Sequence, residues 1–180
     1  MSNVIEKIVK YWNSLSQEEQ EMLAELLAVR TGTVDCVKLS NGAEMPTRGS
    51  EQAAGWDLYA DLEGADYITL APGEYRKIST GIAIALPEGT FGAVYPRSGM
   101  ATKRGLVLAN STGIIDSDYR GPLIVALKNT SDELQIIKHG ERIAQIVVQP
   151  YLSVNFNPVQ SIGTTARGEG GFGSTDKKGE

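Results

Sequence analysis

The chain has 180 residues, 41% of them hydrophobic and 22% charged, which supports one sizeable core read as a single domain with appendages. Its apolar runs fall far short of the roughly 18 to 20 residues of a membrane span, and Glu6 and Lys7 stand where a signal peptide needs apolar residues, so a soluble cytoplasmic protein is expected. A formal net charge of -5 argues against a nonspecific nucleic-acid binder, and one cysteine (Cys36) with one histidine (His139) excludes an internal disulfide and the usual zinc ligand set.

Residues 1–31 read as a short helical extension. Val4, Ile5, Ile8, Val9 and Trp12 fall at helical spacing, and Leu15, Met22, Leu23, Leu26 and Leu27 do so again. Between them Ser16-x-x-Glu19 is an N-terminal capping signature. Two amphipathic helices are expected, packed on their own domain or on a neighbouring subunit.

Residues 32–150 read as a β domain. From Val34 the apolar period drops to two, as in Ile78, Ile82 and Ile84 or Phe91, Ala93 and Tyr95, and the runs LIVALK (123–128) and RIAQIVV (142–148) follow. Turn signals at APGE (71–74), LPEGT (86–90), NTSDE (129–133) and KHGE (138–141) punctuate these strands. Their spacing of roughly 10 residues favours an antiparallel sandwich or barrel, and no long helix interrupts it to suggest a nucleotide-binding parallel sheet. Residues 151–180 carry too little side chain for a core, and the glycines of GEGGFG make them a flexible C-terminal arm, ordered when something binds.

Five segments carry the polar and glycine residues of interest: AAGWDLYA (53–60), PRSGMATKRG (96–105), NSTGIIDSDYRG (110–121), GERIAQIVV (140–148) and RGEGGFGST (167–175). Taken singly, each reads as a turn or a strand; the last lacks the lysine and following helix of a Walker loop. Taken together, Arg97, Ser98, Gln145, Arg167, Ser174 and Thr175 supply donors for a triphosphate, and the glycines admit backbone N–H groups to phosphates. Phe172 offers a face for a base, Asp116 a carboxylate for an attacking water, and Asp57 a second for a hydrated magnesium ion.

In this order and spacing, the five segments resemble the five motifs of the trimeric deoxyuridine triphosphatase (dUTPase) family, over residues 34–176. The resemblance implies a mainly β, jelly-roll-like barrel or sandwich of the dUTPase type, a homotrimer with shared active sites, and magnesium-dependent hydrolysis of dUTP to dUMP and pyrophosphate. Such a reaction limits uracil in DNA and supplies dUMP. By resemblance, Asp116 is the carboxylate that orients and deprotonates the water attacking the α-phosphorus, with Arg97 and Gln145 beside it in the catalytic set. Asp118 carries no such role and is turn chemistry.

The resemblance likewise makes Tyr119 the ring that packs on the deoxyribose and leaves no room for a 2′-hydroxyl. Asn110, the backbone of Gly113, Ile114 and Ile115, and Ile124 match the uracil-pairing hairpin and the strand returning beside it. Arg97, Ser98, Gly99 and Gln145 fall on the phosphate side, and Asp57 reaches the magnesium shell through water, the ion itself being held by phosphates and waters. Arg167, Phe172, Gly173, Ser174 and Thr175 match the arm that closes over the site, with Phe172 on the uracil. Trp56 stands where Tyr or Phe is commoner, Thr102 and Arg104 depart from the pattern after PRSG, and the N-terminal helices have no counterpart in it. Deamination of dCTP on the same fold, and a nucleotide-switched binding or signalling module, are the alternatives.

Overall fold

A computed structural model describes residues 2–21 and 32–171. Helix α1 (Ser2–Ser14) is followed after two residues by a second helical start at 17–21, where Glu19 accepts from the Ser16 backbone N–H at 2.8 Å and from its hydroxyl at 2.9 Å, the expected capping box. Those two hydrogen bonds hold the Glu19 carboxyl below its ordinary pKa. Gln20 reaches back to the Trp12 carbonyl at 2.8 Å and satisfies a C-terminal acceptor of α1. Val4, Ile5, Ile8 and Val9 stay half or more exposed among the described residues, so of the two expected seats for the apolar stripe of α1, its own domain and a neighbouring subunit, the β domain does not provide one there. Met22, Leu23, Leu26 and Leu27 lie outside the described residues.

Twelve antiparallel strands follow among the described residues: β1 (Asp35–Lys38), β2 (Thr47–Arg48), β3 (Trp56–Tyr59), β4 (Tyr67–Leu70), β5 (Tyr75–Ser79), β6 (Ile82–Ala85), β7 (Thr90–Tyr95), β8 (Leu106–Leu108), β9 (Gly113–Asp116), β10 (Ile124–Asn129), β11 (Gln135–Lys138) and β12 (Arg142–Pro150). One short helix, α2 (Ser98–Arg104), joins β7 to β8. The strands form a five-stranded sheet ordered β2-β3-β12-β7-β9, a three-stranded sheet β5-β10-β8, and the pairs β1-β6 and β11-β4. This is the antiparallel β architecture expected from the turn spacing and the mainly β, jelly-roll type implied by the resemblance, with separate sheets in place of a closed barrel.

Leu58, Leu70, Ile78, Ile82, Leu106, Leu123, Val125, Leu127, Ile137 and Ile143 are almost wholly buried between the sheets. In β10 the alternation is regular, with Val125, Leu127 and Asn129 turned inward. In β6 it fails, because Ile82, Ala83 and Ile84 are all buried and both faces of that strand are covered. Cys36 is a free, half-buried thiol on β1, and desolvation raises its pKa, which makes it a packing residue and a poor nucleophile.

Asn129, fully buried, closes the NTSDE turn. Its amide nitrogen donates to the carbonyls of Leu70 at 3.0 Å and Glu133 at 2.7 Å, and its oxygen accepts from the Ser131 N–H at 2.9 Å. Replacement by leucine leaves the buried Leu70 carbonyl without this donor and unties the partly buried Ser131 and Glu133 backbone groups. Asn129→Leu is expected to cost about 2–4 kcal/mol of stability, read by denaturant unfolding, while activity per folded molecule stays at the parental level.

Candidate active site

The first cluster forms where β3, β12 and β7 run side by side. Gln145 of β12 pairs with Asp57 on one flank and Tyr95 on the other. Two residues beyond Tyr95, the Arg97 Nε donates to Asp57 Oδ1 at 2.8 Å, while Arg142 Nη1 donates to Asp57 Oδ2 at 3.1 Å. A carboxylate on a side chain only 11% exposed must be paired, and here each oxygen has its own guanidinium. Two cations on one anion leave the cluster with a net positive charge.

Gln145 sits in a notch that the sequence makes with Gly55, where any Cβ would overlap the Gln145 carboxamide. Its Nε2 donates to the Pro96 carbonyl at 3.1 Å and so ties β12 to the PRSG turn. Arg97 itself is extended (φ -83°, ψ 137°) and provides no side-chain cap to α2, which leaves the N–H groups of Ser98, Gly99 and Met100 uncapped. A Cβ on Gly99 would meet nothing within 4 Å among the described residues, so packing within the chain does not require glycine there.

The second cluster is a shallow pocket of about 150 Å³ lined by Ile114, Ile115, Asp116, Tyr119, Pro122 and Ile124. Its floor is β9, the last strand of the five-stranded sheet, paired on one side with β7 and, among the described residues, with no strand on the other. Asn110 lies at the turn into β9, with its amide nitrogen 3.6 Å from where a Cβ on Gly113 would sit. Ser111 in that turn holds φ at 62°, an uncommon conformation for a residue other than glycine.

Asp116 ends β9 exposed at the pocket rim, and among the described residues its carboxylate accepts no hydrogen bond. The Tyr119 N–H closes a turn onto the Asp116 carbonyl at 3.2 Å, with Ser117 and the exposed Asp118 at its corner. The Tyr119 hydroxyl donates to the Pro122 carbonyl at 3.0 Å, fixing the ring over Gly121, where a Cβ would collide with it.

Asp116 and Arg97 occupy opposite ends of β7. Asp116 pairs with Phe91 at the start of that strand, whereas Arg97 follows its end. Six residues of extended chain, at about 3.3 Å each, separate them by about 20 Å. The sequence-derived site residues therefore divide into Asp57, Arg97, Ser98, Gly99 and Gln145 around and beyond the end of β7, and Asn110, Gly113, Ile114, Ile115, Asp116, Tyr119 and Ile124 on and around the β9 hairpin, whose Gly113 pairs with Val94 toward the Arg97 end of β7 and whose Asp116 pairs with Phe91 at the far end. Arg167 is exposed, and its Nε donates to the Gly170 carbonyl at 2.9 Å within its own turn. Phe172, Gly173, Ser174 and Thr175 lie outside the described residues.

Several participants escaped the sequence reading. Pro122 and Gly121 shape the pocket, Gly55 clears space for Gln145, and Arg142 shares Asp57 with Arg97. Arg104, a departure in the basic segment, has a structural role: it pairs with Glu141 and binds the Ile136 carbonyl, and its Nε donates to Gln135 at 3.1 Å. Thr102 donates back to the Ser98 carbonyl at 2.8 Å inside α2. Among the described residues no three His, Cys, Asp or Glu side chains converge as a metal cage, and no helix is long and apolar enough to cross a membrane.

Chemically, this arrangement combines a guanidinium cluster suited to anions with a small apolar pocket, rimmed by a carboxylate, suited to a flat ring on a free strand edge. The chain belongs to the dUTPase family, whose model matches residues 41–176. It is 44% identical over 145 residues to a deoxyuridine 5′-triphosphate nucleotidohydrolase of Rhizobium etli, covering 79% of this chain and 93% of the relative. The enzyme of the same name from Escherichia phage T5 is 46% identical over 146 residues, with 79% and 98% covered. Among solved structures, a Staphylococcus bacteriophage 80alpha dUTPase variant with dUpNHpp superposes with a TM-score of 0.69 at 32% identity, over 81% of this chain and 99% of that one. A variant dUTPase from phage phi11 of S. aureus, described with a structural Mg(II) ion, gives 0.65 at 27% identity, over 73% and 99%.

Proposed function

We propose that the chain hydrolyses dUTP to dUMP and pyrophosphate at sites completed between copies of a homotrimer. The observation that carries this reading is the pocket on the free edge of β9, with Asp116 at its rim, in a chain of the dUTPase family. Backbone groups of Gly113 to Ile115 and the Asn110 amide pair with the uracil edge. Cytosine presents a donor where uracil presents an acceptor, and each unpaired buried polar group costs about 1–3 kcal/mol. A thymine methyl group is excluded by its added bulk. Tyr119, fixed by its bond to Pro122, packs on the deoxyribose and leaves no room for a 2′-hydroxyl.

Asp116 takes a proton from the water that attacks the α-phosphorus. As the new P–O bond forms, the bond to the bridging oxygen breaks and its electron pair leaves with pyrophosphate. Arg97, Ser98, Gln145 and the N–H groups around Gly99 hold the phosphates. The arm brings Arg167, Phe172, Gly173, Ser174 and Thr175 over the substrate and excludes water.

The side chains present fit a magnesium ion carried in on the triphosphate, since among the described residues no three-ligand cage competes for it and each Asp57 oxygen keeps a lone pair beyond its guanidinium partner for a metal-bound water. Magnesium, when bound, offsets charge on the triphosphate and on the leaving pyrophosphate. The separation of about 20 Å between Asp116 and Arg97 along β7 supports a site that takes the two clusters from different copies.

The test is incubation of the purified protein with dUTP, dCTP and dTTP, with and without magnesium. Pyrophosphate from dUTP alone, dependent on magnesium, is the expected result; ammonia from dCTP would replace this reading with the deaminase.

Residues 1–31 stand apart from the catalytic unit in this proposal, because the family match starts at residue 41 and the apolar stripe of α1 makes no seat on the β domain among the described residues. Deleting them is expected to leave dUTP turnover within about two-fold of the parent. An inactive trimer would assign the extension to the site.

A further inference from the structure

We propose that Arg142 is a positioning residue for the phosphate end of the site, acting through Asp57 to hold the Arg97 guanidinium in one orientation. The inference rests on the reading of Arg97 as a phosphate ligand and extends it to a residue with no assigned role. In a regular strand, residues 142 and 145 are three apart and face opposite sides. Here Arg142 pairs with Tyr59, Ala144 with Leu58 and Gln145 with Asp57, so Ile143 is an extra residue in β12 and the register shifts across it. Ile143 and Ala144 are consecutively buried, as such a bulge requires. Arg142 is thereby turned onto the face that carries Asp57 and Gln145.

What the bulge achieves is the second half of a clamp. Arg97 uses its Nε on Asp57 Oδ1, and among the described residues its terminal nitrogens make no hydrogen bond. Arg142 occupies Asp57 Oδ2 through one terminal nitrogen, with its side chain 47% exposed. With both oxygens held, Asp57 cannot rotate to exchange them, and the Arg97 fork keeps a single direction. Without Arg142, one oxygen of a buried carboxylate loses its partner, and Arg97 can follow whichever oxygen turns toward it. A displacement of about 1 Å at a substrate-positioning group costs on the order of 10²-fold in rate.

The experiment is a double-mutant cycle on the full chain, with kcat and KM for dUTP and thermal melting as readouts. Arg142→Met is expected to lower kcat/KM about 10- to 100-fold, Arg142→Lys to recover part of the loss, and Arg142→Met to have less than a two-fold further effect in an Arg97→Met background. A kcat/KM within two-fold of the parent, or an equal loss with and without Arg97, overturns the proposal, the second result making Arg142 an independent ligand or a structural residue. If the Met variant does not fold, Arg142→Lys carries the test: a loss that disappears in the Arg97→Met background supports the clamp, and no loss, or one that persists there, overturns it. Failure of the parent chain to hydrolyse dUTP is a separate outcome, which removes the reading of the site itself.

Discussion

Asp116→Asn is expected to lose about 10²- to 10⁴-fold in dUTP turnover, equivalent to roughly 3–5 kcal/mol of barrier. The substitution preserves size and most hydrogen-bonding capacity but removes the group that takes a proton from water. Folding should be untouched, because the side chain is exposed and accepts no hydrogen bond among the described residues, while the turn beyond it is closed by the Asp116 backbone carbonyl. Affinity for a nonhydrolysable dUTP analogue should hold or tighten, since a negative charge beside the triphosphate is removed. Asp118→Asn is the matched control. It changes the same charge two residues along the same turn and is expected to stay within a few-fold of the parent. If steady-state kinetics place both variants together, Asp116 is turn chemistry and the proposed mechanism fails.

Ending the chain after Ile162 should also reduce turnover by at least about 10²-fold, through loss of closure over the substrate, with a melting temperature within a few degrees of the parent. The stability half of this expectation follows from the fold. β12 ends at Pro150, the core is complete before that residue, and Leu152, Phe156 and Ile162 are 84–97% exposed. The functional half follows from composition, because residues 163–180 contain six glycines together with Arg167, Phe172, Ser174 and Thr175. Parental turnover by the shortened chain would remove the arm from the mechanism.

Contiguous features were the legible ones. The β9 hairpin, the pocket residues around Asp116 and the PRSG turn are each a single short segment that needs no long-range information to be found. The alternation of β10, the capping box at Ser16 and Glu19, and the end of order in the sheet at Pro150 were readable for the same reason.

Features created by register were not legible. Arg142 lies inside GERIAQIVV, yet strict alternation turns it away from Gln145, and only the extra residue at Ile143 reverses that. Gly55 and Gly121 read as ordinary turn glycines until the Gln145 carboxamide and the Tyr119 ring are seen above them. Arg104 stood out only as a departure after PRSG, because its partners Gln135 and Ile136 on β11 and Glu141 in the turn beyond it are distant in sequence. The apolar stripe of α1 shows the converse: periodicity revealed the helix, while what the stripe packs against depends on tertiary contacts that a period cannot report.

The central claim is that Asp116 and Arg97 of one chain do not serve the same site, since about 20 Å of β7 separates them. It is tested most directly by co-refolding two inactive variants, Asp116→Asn and Arg97→Ala, at equal concentration and assaying dUTP hydrolysis. If each site draws Asp116 from one copy and Arg97 from another, random mixing in a closed trimer leaves about a quarter of the sites with both residues intact, and about a quarter of parental activity returns. Activity no greater than the average of the two variants refolded separately would contradict a shared site and return both clusters to a single chain.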